Sequence, residues 1–494
     1  MGHKLIDNDN HLPMGEGDLL SGHPTDEEHT LDRALSNRHI QLIAIGGAIG
    51  TGLFMGSGQT IASSGTSVLL TYMIVGFFFF FVMRAMGELL LSNTNYKSFV
   101  DFATAYLGPW AGFFLGWSYW LSWVVTAIAD IIAIGGYMQF WYPGLPVWIP
   151  ALGTIGILTT LNLLTVKMFG ETEFWFSMIK IIAIISFLIL GIVLISTQFV
   201  SPNGVQASLA HITDKASILP HGLTGFLSGF QMAVFAFLGI ELVGTTAAET
   251  KNPEKSLPKA INSIPWRILL FYIGALIVII SVTSWQHIDP NQSPFVALFK
   301  LVGLTAAASV VNFVVLTSAM SSANSGIFAT SRMLYGLAVE KDAPKRFAQL
   351  SKGKVPIQAI LCSMACVVVG TLILFVTPSV MSAFTIVTAF TSILTVFAFA
   401  MILLSYLAYR KQRPDLHEKS VYKMPGGIFM SWAGICFMVF VVGILCLDHD
   451  TRISLFASPI WFIGLFIAYK YRSKRYQERT WILEHGRRIE QEEY

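Results

Sequence analysis

Three ionisable side chains stand inside long apolar runs of this sequence. Asp130 ends the stretch Thr126-Ala127-Ile128-Ala129-Asp130 and Lys180 ends Phe174-Trp175-Phe176-Ser177-Met178-Ile179-Lys180. Glu241 interrupts Phe235-Ala236-Phe237-Leu238-Gly239-Ile240-Glu241-Leu242-Val243-Gly244. A charge at mid-membrane depth costs at least about 2.5 kcal/mol, so it is kept where it meets a partner, a wet cavity or a proton path. A lysine withdrawn from water can exchange its proton, which makes Lys180 a candidate proton carrier. The alternative is a snorkelling or permanently paired ammonium; a fixed ammonium would also repel sodium. Glu241 either caps exposed backbone N–H groups or lines a pathway and responds to pH. Asp130 either contributes to selectivity for small substrates or accepts a buried hydrogen bond. Arg84 and Glu88, four residues apart, suit an ion pair on one helix face. Glu249 and Arg332, near segment ends, suit an inner gate or structural contacts.

The backbone offers a second kind of chemistry. The run Gly46-Gly47-Ala48-Ile49-Gly50-Thr51-Gly52-Leu53-Phe54 is followed by Gly56 and Gly58. Each glycine inside a helix costs up to about 1 kcal/mol. The cluster therefore marks either very close helix packing through small residues or an unwound stretch. A break in the Phe235–Gly244 segment is expected as well. A broken helix exposes N–H groups at the start of its second half and carbonyls at the end of its first half. Two such breaks side by side suit a zwitterion, so the ligand class implied is small and amino-acid-like.

The elements that must carry these groups follow from composition. Of 494 residues, 54% are hydrophobic and 12% charged, with a mean hydropathy of +0.62. An average soluble domain has roughly 25% charged residues. An ordinary cytosolic enzyme, a disordered chain and a disulfide scaffold are excluded, and a net charge of +3 is too small to imply nucleic acid. Twelve apolar segments of membrane-spanning length are expected near 39–62, 68–91, 110–140, 147–166, 172–196, 222–247, 266–286, 300–336, 356–377, 380–409, 425–447 and 453–471. They are too long for barrel strands and lack the alternation such strands need.

The fold expected is an all-α membrane protein. Segments one and six, each broken, lie five helices apart and so run in opposite directions, the pattern of two inverted five-helix repeats. The organisation expected is a tail over 1–38, repeats over 39–196 and 222–409, a connecting external loop over 197–221, two extra helices over 410–471 and a tail over 472–494. Lys and Arg crowd the even-numbered loops, for example Lys251, Lys255, Lys259, Lys341, Lys345, Arg410 and Lys411, while the odd-numbered loops hold few. That bias puts both termini in the cytoplasm. The first 38 residues contain no apolar core of a cleavable signal peptide, so the first helix is expected to direct insertion.

Other residues take plainer expectations. Cys362, Cys366, Cys436 and Cys446 lie in apolar runs without metal-ligand spacing and read as buried thiols. Trp110, Trp117, Trp120, Trp123, Trp141 and Trp148 read as interfacial anchors. Thr245, Asn324 and Ser325 suit hydrogen bonds between helices. No HExxH, GxxxxGK[ST] or GxSxG motif is present, so no cofactor is expected and ATP-driven pumping is disfavoured.

The stretch Asn37-Arg38-His39-Ile40-Gln41-Leu42-Ile43-Ala44-Ile45 leading into Gly46–Phe54 resembles the opening of bacterial amino acid permeases of the amino acid–polyamine–organocation superfamily. Arg84-Ala85-Met86-Gly87-Glu88-Leu89, Phe174–Lys180, Ala248-Glu249-Thr250-Lys251-Asn252-Pro253-Glu254 and Ser321-Ser322-Ala323-Asn324-Ser325-Gly326 agree, and the likeness runs over roughly 33–472. Asp130 departs from it, since many members carry glutamate there. The resemblance implies a fold like that of the leucine transporter and proton-coupled uptake of small neutral amino acids across the bacterial inner membrane. It implies that N–H groups around Gly50, Thr51 and Gly52 hold the substrate carboxylate. Carbonyls near Ala48, Ile49, Phe235 and Leu238, beside Gly239, would receive its ammonium, and Phe235 would form a lid. Lys180, Glu241 and Asp130 would carry coupling or gating. The partners expected are the amino acid, protons and the lipid bilayer. A permease or exchanger for another amino acid, or a non-transporting sensor, are the alternatives.

Overall fold

The computed structural model describes residues 49–492 apart from 94–95, 97, 164–165, 203 and 246–251. Ala48, Glu249 and the 1–38 tail lie outside the described residues. Among those described, regular structure is helical except for one bridge pairing Val200 with Gln206. Among the described residues, nine helical stretches are long and apolar enough to cross a membrane, and the shorter Gly222–Ala236 is apolar as well.

In chain order the helices are α1 Thr51–Phe54, α2 Gly56–Ser64, α3 Val68–Ser92, α4 Phe99–Leu107, α5 Pro109–Met138 and α6 Trp148–Asn162. Next come α7 Val166–Ser196, α8 Gly222–Ala236, α9 Leu242–Thr245, α10 Pro253–Asn262, α11 Gly274–Thr283 and α12 Pro294–Leu301. The last six are α13 Thr305–Val339, α14 Ile357–Thr371, α15 Val380–Gln412, α16 Pro414–Lys419, α17 Gly427–Ile444 and α18 His449–Glu492. Local chemistry sets several starts. Ser98 and Asp101 form a reciprocal capping box on α4, Ser379 caps α15, and proline takes the first turn of α5, α10, α12 and α16.

Helix α7 shows which solvent the molecule is built for. Its Glu173, Ser177 and Lys180 are buried, while Trp175, Ile182, Ile189 and Ile192 are exposed. In water that arrangement would be inside out. In a bilayer the apolar face meets lipid and the polar face turns to the bundle interior. The chain is a multi-pass membrane protein on this pattern and the nine spans.

Several expected boundaries move. Segment seven starts earlier, because α10 leads through helix Ile264–Arg267 and a π-turn over Ile268–Ile273 into α11. Segment eight is split: α12 ends before Gly303, whose φ of +78° turns the chain into α13. The backbone stays helical through Glu492, across the stretch expected as a tail. Residues 197–221 carry the Val200–Gln206 bridge and two one-turn helices, Ala210–Thr213 and Lys215–Ile218.

At the centre, α13 and α15 pack along α5, and α1 is lodged among α5, α8 and α13.

Candidate functional site

At the first expected break the described residues begin with Ile49. Gly50 is extended, α1 makes a single turn, and Met55 separates it from α2. The first intrahelical bonds run from Leu53 and Phe54 N–H to the Gly50 carbonyl, so the N–H groups of Thr51 and Gly52 have no acceptor within the helix. Among the described residues, Ile49 and Gly50 are non-helical and the run is very tightly packed, since a Cβ on Gly52 would stand 2.5 Å from Ala236 Cα. Two neighbouring helices anchor the break: Thr51 Oγ1 donates to Asp130 Oδ1 at 2.7 Å, and Ser318 Oγ donates to the Ile49 carbonyl at 3.1 Å.

The second break lies between α8 and α9. Gly239 has φ +102°, a conformation side chains disfavour, and lets the chain reverse locally. Its N–H donates to Glu241 Oε2 at 2.9 Å, so this carboxylate caps the break from within. Tyr119 Oη donates to the other oxygen at 3.3 Å. The Ala236 carbonyl at the end of α8 accepts from Tyr272 Oη at 2.9 Å, and Phe237 is held between Tyr72 and Tyr272, with ring centroids 5.7 and 4.7 Å away.

The two breaks meet at a small cavity with room for about one water. Gly50, Thr51, Gly52, Phe235 and Leu238 all line it. Ile49 and Gly239 stand just outside, with the Ile49 carbonyl and the Gly239 N–H bonded as above. Sequence reasoning missed the rest of the wall: Ala236, Trp123 and Thr126 of α5, and Ser322 of α13.

One face of α5 serves both breaks. Tyr119, Trp123, Thr126 and Asp130 recur at helical spacing, from Glu241 at one end to Thr51 at the other, about 16 Å along the axis. Trp123 is correspondingly not an interfacial anchor. It is buried, as is Trp120, whose Nε1 donates to Ser363 Oγ, whereas Trp110 and Trp148 are exposed.

Behind the first break lies a buried charge cluster. Lys180 is 1% exposed, and the carboxylates acting on its ammonium are Glu173, two turns back on α7, and Asp130. Ser321 Oγ donates to Glu173 Oε1, while Glu173 Oε2 and Asp130 Oδ2 meet no donor among the described residues. Glu173 went unrecognised in the sequence although its seven-residue spacing from Lys180 puts both on one helix face. Asn162 Nδ2 donates to Asn324 Oδ1 at 2.8 Å, an interhelical bond of the expected kind; the Thr245 side chain lies outside the described residues.

Two expectations fail. Glu88 does not pair with Arg84. It is buried and accepts from the Met424 N–H at 2.7 Å, with His417 Nδ1 2.6 Å from its other oxygen. Arg84 turns instead to Asn262 Oδ1 and the Lys423 carbonyl. The segment after α15 folds back over the end of α3 and supplies better partners than a helix neighbour. Nor are the cysteines buried: Cys362 and Cys366 are half-buried and Cys436 and Cys446 exposed, as the lipid-facing surface allows.

A multi-pass helical bundle with a cavity at paired helix breaks is the architecture of a solute permease. The chain belongs to the amino acid permease family, whose model matches residues 39–482. It is 61% identical over 448 residues to the D-serine/D-alanine/glycine transporter of Escherichia coli strain K12, covering 91% of this chain and 95% of that protein. It is 48% identical over 449 residues to the amino-acid permease AapA of Bacillus subtilis, covering 91% and 96%. It is 42% identical over 446 residues to the aromatic amino acid transport protein AroP of Escherichia coli O6:H1, covering 90% and 96%. These relatives are transporters, not enzymes.

Proposed function

We propose that the chain is a proton-coupled importer of small neutral amino acids, D-serine, D-alanine and glycine among them, working by alternating access in the bacterial inner membrane. The observation that carries this reading is the cavity at the two breaks: it offers backbone groups suited to a zwitterion and almost no room for a long side chain. The 61% identity to a D-serine/D-alanine/glycine transporter points the same way.

In this reading the fold is a twelve-helix, leucine-transporter-like bundle, with inverted five-helix repeats over 39–196 and 222–409. Helices over 410–471 lie outside the repeats, and both termini are cytoplasmic. The N–H groups of Thr51 and Gly52, beside Gly50, receive the substrate carboxylate. Carbonyls of Ala48, Ile49, Phe235 and Leu238 face its ammonium, with Gly239 allowing the turn and Phe235 acting as the lid. Lys180 carries the proton. Asp130 relays its charge state to the first break through Thr51, and Glu241 holds the second break in shape. The narrow cavity is then an occluded form, which must open to one side at a time.

The test is uptake of labelled glycine, D-alanine and D-serine into proteoliposomes under an imposed proton gradient in sodium-free buffer. Concentrative uptake that collapses when the gradient is dissipated is the expected result. A folded protein that moves another amino acid but none of these three overturns the substrate assignment. Uptake that ignores the proton gradient and follows internal amino acid instead makes the protein an exchanger.

A further inference from the structure

We propose that Trp123 sets the upper size limit on the transported side chain, its indole closing the cavity on the side where the helix breaks supply no backbone. The inference rests on the amino acid reading above and adds the residue that would make the site selective for small members of the class.

The cavity wall has two kinds of surface. The breaks contribute backbone-rich positions such as Gly50, Gly52 and Leu238, which suit the part every amino acid shares. The variable part must face what remains: Trp123 and Thr126 on α5, and Ser322 on α13. Trp123 is the bulkiest fully buried side chain of the described residues and by far the largest of these three. It stands on an unbroken helix, unlike Phe235 at the end of α8, so its bulk is a fixed boundary rather than a moving lid.

Packing against α13 fixes the ring. Its Nε1 lies on the side of the Glu241 carboxylate without a well-formed hydrogen bond among the described residues, and the ring lies so close to α13 that a Cβ on Gly326 would stand 2.6 Å from Cε3. Real carbon contacts do not reach that distance, so only glycine at 326 lets the indole sit where it does. A methyl group there must push the ring away from α13, and in this proposal the ring moves toward the cavity it lines. Residues 123 and 326 therefore act as one adjustable wall. Shrinking Trp123 widens the cavity, and adding a methyl at Gly326 narrows it.

The experiment is counterflow in proteoliposomes with glycine and with both enantiomers of alanine, valine and leucine, for the parent, Trp123→Phe, Trp123→Leu and Gly326→Ala. Monodispersity and thermal transition are recorded for each variant. The parent should exchange glycine and alanine and discriminate against the larger pair. Trp123→Leu should raise valine and leucine relative to glycine by about tenfold or more, since a single methylene in such a pocket is worth about that much. Trp123→Phe should act in the same direction and less. Gly326→Ala should keep glycine and lose alanine severalfold. If both Trp123 variants fail to fold, the narrowing variant alone decides. Variants that exchange glycine and keep the parent's size ranking overturn the size filter and leave the transport reading standing. A parent that exchanges no member of the panel overturns the amino acid reading, and the filter with it.

Discussion

The two helix breaks face one cavity but are held in different ways. The second carries its own cap, Glu241, which accepts the N–H of Gly239 two residues before it, with Tyr119, Tyr72 and Tyr272 bracing it from other elements. The first depends on other helices, through Asp130 on α5 and Ser318 on α13. Asp130 in turn acts on Lys180, so in the mechanism proposed a change in charge at the buried cluster would reach the first break through the 2.7 Å hydrogen bond from Thr51. The contrast suggests a division of labour. The second break is a fixed half of the site, and the first is the half that a proton can loosen.

Substitutions can break that contrast or sharpen it. The largest effect is expected for Gly52→Ala. The new Cβ would meet Ala236 backbone at 2.5 Å, so the two break-bearing helices must separate. We expect a loss of about 3 kcal/mol, at the upper end for overpacking, and no measurable uptake. Thermal unfolding in detergent and transport assays check this. An unchanged protein would mean that the breaks are not pressed together.

Thr51→Val comes next. It removes the donor to Asp130 and leaves a buried carboxylate oxygen unsatisfied, which costs about 1–3 kcal/mol. Gradient-driven uptake should fall more than counterflow, because the link to the charge cluster is cut while the cavity persists. Equal losses in the two assays would argue against the link. Gly239→Ala should cost about 1–2 kcal/mol through its φ of +102°, lowering the melting temperature and both assays alike. Tyr119→Phe is the smallest: it deletes a long 3.3 Å hydrogen bond to Glu241, whose other oxygen keeps its Gly239 partner, and should cost about 0.5–1.5 kcal/mol. A Tyr119→Phe effect larger than that of Thr51→Val would reverse the proposed roles.

How much of this was legible in the sequence depended on whether a signal was local. The glycine run and the Glu241 interruption are local; the second break falls where Glu241 pointed, and at the first the described residues from Ile49 on show a non-helical Gly50. Asp130 and Lys180 were conspicuous because charge in an apolar run is conspicuous. Trp123, Ser322 and Glu173 were not, each for a physical reason. A tryptophan in a membrane helix has the same one-letter signature at an interface and beside a cavity, and only its closeness to Gly326 separates the two. Ser322 lies in a run of small polar residues of which one position happens to face Gly50. Glu173 stands at the polar start of its segment, and its burial follows from how α7 lies against α13, which no linear pattern records. Glu88 illustrates the same point in reverse: the nearby Arg84 was an obvious partner, and residues more than three hundred positions away won.

The measurement that tests the account most directly is glycine transport by Lys180→Ala beside the parent, in sodium-free proteoliposomes, read both as uphill uptake under a proton gradient and as counterflow. The account predicts that the variant loses uphill uptake and keeps counterflow, because the cavity survives while the charge that moves the first break is gone. Full uphill uptake by Lys180→Ala would contradict it and turn the search for the proton site to Glu241 and Asp130.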